Sequence, residues 1–510
     1  MKLSAYIFII FCLVFTSCKK DFLKEDPRTF LTPDNFYKTE ADLQMGLNAV
    51  YRTPQDRYSN MWGAPCWFGW ATDLGYLTPA NNHAFHNQPS YLTPAFNSSS
   101  DMPWNMWDYI YRHVKDINFL LEALKVVDAP DDVKKSIEAQ ARAWRAHLYF
   151  DGVRIFGALP LIVKPVADLS ELKGLTRTPA AEVYAQIIAD LQIGMATLPN
   201  SYSAATDKGR ITAGACAALL ARVYITMAGY PLRQNDKWAS AQTILKEFIV
   251  DKKYGTQYGL FTEYSDAFAD ANIPGMEAVW TVNFTRGTFA QGSQVHTDFS
   301  PIELYYDSRA GLSLGGGWSN ELPTPAFLAS YDQVNDKRYA FTYWTSTADI
   351  PSDYAALNAS PGGPVVFAAP HVKKFREKSP NDNSQGSGLD HYIIRYSDVL
   401  LMYAETLNEA GDPTAATYVN IVRNRAGLGP LPALNQQQFR DQMLLERAWE
   451  LCFEGERRFD LMRTGTYYSR VKAWNAQAGA NVVEGKHELW PVPQREIDIN
   501  QNLLPNNPGY

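Results

Sequence analysis

Apolar residues recur at spacings of three and four along much of this 510-residue chain. That spacing places them on one face of an α-helix. In the amino-terminal half, the pattern predicts helices over residues 39–52, 104–125, 131–156, 179–198, 212–229 and 236–250. In the third of these, Ala143, Ala146, Phe150 and Val153 share one face, and Gly157 ends the helix.

The carboxy-terminal half predicts a hairpin of two helices. Apolar and aromatic residues from Ile393 onward alternate spacings of three and four, which predicts a helix that ends at Gly411. Asp412 is a suitable cap for the next helix, and Pro413 is suited to its first position. Gly427 then ends this second helix.

A further helix is predicted from about 436 to 463, with Asn435 as its cap and Gln438 three residues on. Helices paired by short turns, with small residues where they cross, are typical of tetratricopeptide-repeat (TPR) packing. The fold class predicted is therefore all-α dominated, with a TPR-like scaffold of about four helix pairs. The strict TPR consensus is not found, so we expect divergent repeats.

Four stretches between the predicted helices are rich in Gly, Pro, Ser and Asn: 53–103, 281–325, 345–370 and 376–390. Loops of this length inside a compact domain are usually functional or disordered, and the aromatic residues in them argue against disorder. Length alone would suggest roughly two to four domains. We expect instead one helical body over 18–510, with aromatic loop insertions near 53–103 and 281–390.

The first residues have the pattern of a secretory leader that ends at a cysteine. Lys2 supplies a positive charge, an apolar run follows, and Thr16 and Ser17 precede Cys18. The apolar run is shorter than the roughly 20 residues of a membrane-spanning helix. Because VFTSC is similar to a bacterial lipobox, we predict that 1–17 is a signal peptide and that Cys18 carries lipid. A simple exported protein is the alternative.

Charge and cysteine content narrow the class of function. The formal net charge of −7 argues against nucleic acid as the main partner. Cys66, Cys216 and Cys452 are too few and too scattered for a disulfide framework or a CxxC metal site, so buried thiols are expected. No cofactor is indicated. A structural calcium ion is possible, but the sequence does not indicate one. The stretch 381–392 has Tyr392 where a calcium loop requires glutamate.

Sequence blocks along the whole mature chain resemble the RagB/SusD family of outer-membrane lipoproteins. They include DFLKEDP after Cys18, DLQMGLNAVYR and RAWRAHLYFDGVRIFGALPLI. The most specific are YIIRYSDVLLMYAETLNEAGDPTAA, LLERAWELCFEGERRFDLMRTG and HELWPVPQREIDINQNLLPNNPGY. Any one block is only suggestive, but their order, spanning nearly every helix, makes the resemblance specific.

The resemblance implies a TPR-like protein that is held at the outer membrane by a lipid anchor and exposed on the cell surface. It also implies a binding protein rather than an enzyme. Family members capture a nutrient, most often a glycan, and pass it to a SusC-like TonB-dependent β-barrel transporter beneath them. A binder of peptides or protein fragments in an equivalent uptake system is the alternative within the family.

Two loops, 74–97 and 286–320, contain the residue types that a sugar surface needs, which are aromatic faces beside polar side chains. The candidate ligand-binding residues are Tyr76, Asn81, His83, His86 and Tyr91 in the first loop and Tyr306, Arg309 and Trp318 in the second. Trp318 is the leading candidate, because three preceding glycines allow the backbone unusual angles and provide no core to bury the ring. Packing is the alternative for each aromatic residue.

Structural roles are expected for other aromatic and histidine residues. Trp62, Trp67 and Trp70 lie in a segment that is dense in apolar residues, so we expect them in the core. His83 and His86 could form half of a metal site, but no third ligand is evident nearby. We expect these two histidines to face a ligand or to be satisfied by polar neighbours.

Three carboxylates, Glu446, Glu450 and Glu454, follow one another at helical spacing. A surface glycosidase would need two carboxylates placed across a sugar, and this run is where the sequence could supply them. However, Arg447 and Arg457 lie three residues from a glutamate, which predicts ion pairs within the helix. We therefore expect a structural charge network and no hydrolysis.

Overall fold

The computed structural model describes residues 36–58, 71–77, 96–166, 168–269, 272, 274–285, 292–301, 319–345, 367, 369–376 and 387–510. The helices from the amino terminus to the middle of the chain are α1 (Glu40–Tyr58), α2 (Asp101–Ala123), α3 (Asp131–Phe156), α4 (Leu169–Lys173), α5 (Ala180–Thr197), α6 (Ala213–Ala228), α7 (Asp236–Ile249), α8 (Val295–Phe299), α9 (Pro325–Ala329) and α10 (Lys337–Thr342). The later helices are α11 (Tyr396–Glu409), α12 (Ala415–Arg425), α13 (Gln436–Glu450), α14 (Arg457–Arg463), α15 (Tyr467–Trp474), α16 (Ala476–Gly479) and α17 (Gln494–Ile499).

Short strands pair in twos between the helices. The strands are β1 (Gly75–Leu77), β2 (Ala278–Val282), β3 (Glu321–Pro323), β4 (Tyr343–Trp344), β5 (His371–Val372) and β6 (His391–Arg395). Among these, β1 pairs with β3, β2 with β6 and β4 with β5, and each pair is antiparallel. The sheet content is too small to form a layer of its own, so helices carry the architecture.

Eight of the long helices pack against one another in chain order, from α1, α2, α3 and α5 to α6, α7, α11 and α12. Taken in twos, they form the pairs α1–α2, α3–α5, α6–α7 and α11–α12, and each pair also contacts the next. This arrangement is typical of helical-repeat scaffolds, in which neighbouring repeats bury a continuous core. The predicted all-α-dominated, TPR-like fold is confirmed.

Helix α3 is an element that the local sequence predicted correctly. It runs from Asp131 to Phe156, as predicted, with Asp131 and Asp132 near the positive end of the helix dipole. Gly157 ends it at φ = 69°, where its N–H donates to the carbonyl of Val153. The predicted apolar face is buried, but the opposite face is buried as well, because α2, α5 and α6 pack around the helix.

The predicted start of the carboxy-terminal hairpin is wrong. Ile393 belongs to β6, and α11 begins only at Tyr396. The β-branched side chains of Ile393 and Ile394 are suited to a strand, and Ile394 pairs with Trp280 of β2. Helix α12 likewise begins at Ala415 rather than at Pro413, with Thr414 as its N-cap.

The predicted single helix over 436–463 is also wrong, because the chain breaks between α13 and α14. Phe453 has φ = 61° and Gly455 has φ = 95°, so the backbone turns through the left-handed region between the two helices. The predicted start is correct. Asn435 and Gln438 form a reciprocal capping box, in which each side chain accepts from the backbone N–H of the other.

One apolar cluster extends from Leu43 to Leu503. Cys216 and Cys452 are free buried thiols within it, as expected, whereas Cys66 lies outside the described residues. None of the helices in the described ranges is long and apolar enough to cross a membrane. Residues 1–35, with the predicted signal peptide and Cys18, lie outside those ranges.

A buried chain of alternating cations and anions links the two halves of the scaffold. It runs through Arg57, Asp151, Arg154, Glu456, Arg222, Asp398, Arg447, Asp460, Arg463 and Glu405. These residues come from α1, α3, α6, α11, α13, α14 and the turn before α14. Because each member is paired on the way through the core, the chain fixes how the repeats are aligned rather than leaving charges buried alone.

Candidate functional site

The pairing of β1 with β3 brings together the ends of the two candidate ligand loops. Leu77 lies directly opposite Glu321 in this ribbon. The first loop leaves the ribbon after Leu77, and the second returns to it through Ser319 and Asn320. Two segments that are more than 200 positions apart therefore share one point of attachment. The sequence alone did not show whether the two loops meet.

We call the segment 72–77 the loop anchor. It is held by an ion pair to Arg457 and by hydrogen bonds from Thr324, the residue that follows β3. Asp73 is fully buried and receives two hydrogen bonds from Arg457, at 2.8 and 2.5 Å. Thr324 donates its hydroxyl to the carbonyl of Asp73 at 2.7 Å and its N–H to that of Leu74 at 2.8 Å. Bidentate guanidinium–carboxylate pairs fix orientation as well as distance, so this end of the first loop has one defined position.

Two amide side chains from the α15–α16 region complete the loop anchor. Asn475 donates from its amide to the carbonyls of Thr72 and Gly75 at 2.7 and 2.8 Å. Gln477 both accepts from the N–H of Leu77 and donates to its carbonyl, each at 3.1 Å. The Gln477 amide thus stands in for a neighbouring strand along the free edge of β1.

The ends of the other long loops gather beside the same ribbon. Ser319 bonds to the ring of His371 in β5 at 2.9 Å, and its N–H donates to the carbonyl of Ser300 after α8. The pair β4–β5 joins the two ends of the stretch 346–366. Ser293 and Ser387 exchange backbone hydrogen bonds of 2.8 Å, which joins the stretches 286–291 and 377–386. These pairings thus join the described ends of the long loop regions to one another.

Tyr76 is the candidate residue that the structure describes. It lies in the middle of β1, across from Leu322, and is half-buried between two buried neighbours. The remaining candidates lie outside the described residues: Asn81, His83, His86, Tyr91, Tyr306, Arg309 and Trp318. The same holds for the tryptophans predicted to be in the core: Trp62, Trp67 and Trp70.

The predicted glutamate run forms a buried charge network, but its partners differ from those predicted. We call it the α13 network, and its members are Glu277, Arg338, Lys374, Arg395, Arg423, Arg425, Glu446, Glu450 and Glu454. Glu450 contacts Arg395 at 2.5 Å, Arg338 at 3.1 Å and also Arg425. Each of these cations comes from outside helix α13.

The predicted ion pairs within one helix are therefore wrong. Arg447 pairs with Asp398 and Asp460, at 2.6 and 2.9 Å, and Arg457 pairs with Asp73. Glu454 follows the end of α13, so the three glutamates do not share one helix face. The charged residues pair with distant partners because the core brings those partners within contact distance. An ion pair between neighbours on one helix would contribute only about 0.2–0.5 kcal/mol.

Glu450, the central carboxylate of the α13 network, is poorly suited to act as a general acid. Burial raises the pKa of Glu450, but Arg425, Arg395 and Arg338 outweigh burial and hold the pKa well below its usual range. A carboxylate that stays ionised cannot donate a proton to a glycosidic oxygen. Across the described part of the chain, no group of three or more His, Cys, Asp or Glu is arranged to hold a metal ion.

Comparison with known families identifies the scaffold. The model of the SusD family matches residues 276–510. A second model, described as starch-binding and associating with the outer membrane, matches residues 70–225. The chain belongs to the SusD family. The resemblance inferred from the sequence blocks is confirmed, and the loop anchor of this SusD-family protein lies at the start of the second matched region.

Relatives and solved structures agree with this placement. SusD-like protein P2 from Formosa agariphila is 27% identical, and the match covers 100% of both chains. A SusD homolog from Bacteroides thetaiotaomicron superposes with a TM-score of 0.78 at 24% identity, covering 95% of this chain and 100% of that one. A laminarin-binding SusD-like protein superposes with a TM-score of 0.76 at 24% identity, covering 93% of this chain and 100% of that one.

Sequence reasoning missed the residues that hold the site of this SusD-family protein. Asp73, Asn475 and Gln477 carry no local motif, and their partners lie 384 to 403 positions away. Short polar residues of this kind occur in loops and turns of every protein. A signal for their role would have needed knowledge of the long-range pairing, which one sequence does not contain.

Proposed function

We propose that this protein is a glycan-binding lipoprotein of the cell surface. It captures an oligosaccharide on the loops 74–97 and 286–320 and passes it to a SusC-like TonB-dependent transporter in the outer membrane, to which Cys18 tethers it. The observation that carries this proposal is the β1–β3 ribbon, which attaches both aromatic loops at one point. A single ligand can therefore contact side chains from both.

Family membership supports the ligand class. The matching family model for residues 70–225 is described as starch-binding and associating with the outer membrane, and a structural neighbour is described as laminarin-binding. Both are glucose polymers, whose rings present flat C–H faces to aromatic side chains and hydroxyl rims to polar ones. The candidate loops of this chain contain both residue types, with Trp318, Tyr76 and Tyr91 as platforms.

The mechanism requires binding without chemistry. Each aromatic platform contributes about 1 kcal/mol beyond the burial of its area. We expect modest affinities, around micromolar or weaker, which corresponds to about −8 kcal/mol or less favourable. Such affinity allows the glycan to be released into a transporter. Because the glutamates of the α13 network are tied to arginine and lysine within the core, they offer no hydrolytic site beside the bound glycan.

The first test is a screen of glycans and peptides on soluble protein that begins after Cys18, followed by calorimetry and tryptophan fluorescence. We expect saturable binding of one glycan class, weakened at least tenfold, or about 1.4 kcal/mol, in Trp318→Ala. The melting temperature of this variant should stay nearly unchanged. The control is Trp104→Ala, which removes a half-buried tryptophan that stacks on Arg495 in another part of the chain.

Other outcomes of the screen contradict the proposal in different ways. Binding of peptides but no glycan would assign the protein to peptide uptake instead. A large fall in melting temperature in Trp318→Ala would place that ring in the core and remove it from the ligand surface. Release of shorter sugars without added enzyme would contradict the binding role itself.

A further inference from the structure

A cavity of about 340 Å³ lies between the α6–α7 turn on one side and helices α11 and α13 on the other. Its lining includes no residue of β1, β3 or the loop anchor, so it is separate from the ligand loops' ribbon. Its volume falls within the range of small-ligand sites, about 300–1,000 Å³. The space is sufficient for a monosaccharide or a disaccharide end.

The wall formed by the α6–α7 turn presents polar groups that no protein partner occupies. Within the described chain, the side-chain polar atoms of Tyr230, Arg233, Asn235 and Trp238 make no hydrogen bond or ion pair. Tyr230 is 39% exposed, and Trp238 is half-buried against the core. Two aromatic rings and three sets of N–H donors therefore line one cavity, and these donors make no hydrogen bond within the described chain.

The opposite wall is already paired. Arg440 holds Glu409 through two hydrogen bonds of 2.6 Å, and Arg463 holds Glu405 through bonds of 2.5 and 2.9 Å. Asp441 at the rim accepts from Gln437. Asp441 is the exception in this wall, because its hydrogen-bond partner is a neutral amide rather than a cation. The rest of the wall contributes shape and rigidity rather than free charge, because each of its arginines is neutralised by a carboxylate.

Arg233 keeps a conformation that favours glycine. Its φ is 51°, and the turn is closed by its N–H, which donates to the carbonyl of Gly229 at 2.8 Å. Non-glycine residues in this region cost about 1–3 kcal/mol and cluster at functional sites. The Arg233 guanidinium lies 5.6 Å from the Tyr230 ring centroid, beside the cavity.

We propose that this cavity is a second saccharide site, distinct from the loop site. A sugar ring stacks on Tyr230 or Trp238, and its oxygens accept hydrogen bonds from Arg233, Asn235 and the Trp238 indole N–H. Aromatic rings with planar polar groups at their edge match the faces and rims of a sugar. The free groups are mostly donors, so a uronate, with its carboxylate, should bind more tightly than the corresponding neutral hexose.

The test follows the indole N–H signal of Trp238 by NMR in the full protein beginning after Cys18, titrated with glucose, glucuronate and cellobiose. We expect this signal to shift saturably, most strongly with glucuronate. Arg233→Gly should weaken the response at least tenfold. The same change should leave the melting temperature equal or higher, because glycine adopts the positive φ without strain.

Lys252→Gly is the matched control, because Lys252 has φ = 52° near the other end of α7 and does not line the cavity. It should keep the response. Tyr230→Ala should weaken it, because a stacking face is lost. Equal responses in Arg233→Gly, Tyr230→Ala and the parent protein would overturn the proposal, as would a Trp238 signal that no probe shifts.

Trp318→Ala separates this site from the proposed function. A Trp238 response that survives in Trp318→Ala supports an independent second site. Loss of that response in Trp318→Ala contradicts independence. If longer glycans bind and depend on Trp318 while no probe reaches Trp238, the second site fails and the proposed function stands; the reverse result retains the cavity site and removes the loop site.

Discussion

The α13 network and the loop anchor both contain buried charge, yet they use it differently. In the network, each carboxylate meets two or more cations, as Glu450 does with Arg338, Arg395 and Arg425. In the loop anchor, the bidentate pair between Asp73 and Arg457, with Arg470 farther away at 3.9 Å, positions a strand end from which a loop extends. The first arrangement pairs its charges with one another within the core, whereas the second fixes the base of a loop.

This difference explains why the sequence blocks shared with the family specify the scaffold rather than the ligand. One of the most specific blocks, LLERAWELCFEGERRFDLMRTG, supplies much of the α13 network and of the ion-pair chain. It therefore specifies the scaffold and carries little information about the ligand. The aromatic loops lie outside that block. Under the proposed function, the identity of the glycan therefore depends on residues that the shared blocks do not include.

The largest expected effect comes from breaking the α13 network with Glu450→Gln. The free energy of unfolding should fall by about 3–5 kcal/mol, because buried arginines lose a compensating charge. Urea unfolding measures this. Glu122→Gln, which loses an exposed pair with Lys125, should change it by less than about 1 kcal/mol. A stable Glu450→Gln protein that loses a hydrolytic activity would instead make Glu450 catalytic.

An acid-dependent loss of stability should be the next largest effect. Burial lowers the pKa of His147 to about 4; Asp151 opposes this and Arg57 adds to it. In the unfolded chain, the imidazole of His147 binds a proton near pH 6.5, whereas in the folded chain it does so only near pH 4. The contribution of His147 to the free energy of unfolding is therefore fully present above pH 6.5 and is lost as the pH drops toward 4. His147 alone should account for a fall of roughly 3 kcal/mol in the free energy of unfolding.

Urea unfolding at pH 7 and pH 4.5 checks this expectation. His147→Gln should reduce the fall between the two values, because the variant has no imidazole to protonate there. His391, whose pKa burial lowers to about 3, should retain its own share. An identical fall in His147→Gln and in the parent protein would show that other groups determine the acid response.

The smallest effect is expected at the loop anchor, in Gln477→Ala. Loss of its two hydrogen bonds to Leu77 should lower the free energy of unfolding by about 1–2 kcal/mol. Glycan affinity at the loop site should fall as well, because β1 loses the partner along its free edge. The control is Gln44→Ala, whose amide donates to Asn48 on the same helix. Unchanged affinity in Gln477→Ala would mean that the anchor does not position the ligand surface.

A region was predicted correctly where its structure depends on residues that are close together in the chain. Helix α3, the capping box at Asn435 and the turn at Gly157 depend on residues within a few positions, and all three were predicted correctly. For the site, the sequence indicated which loops are rich in aromatic residues. It did not indicate that β1 and β3 attach two of them together, because that pairing joins residues far apart in the chain.

By itself, the sequence determined most of the long helices and the family, because periodic burial and capping act over one or two turns. Only the tertiary structure decided that Ile393 lies in a strand, that Arg447 pairs with Asp398, and that the two loops share one ribbon. These features depend on contacts between distant segments. Their free energy is gained only when the whole core assembles, so no local pattern records them.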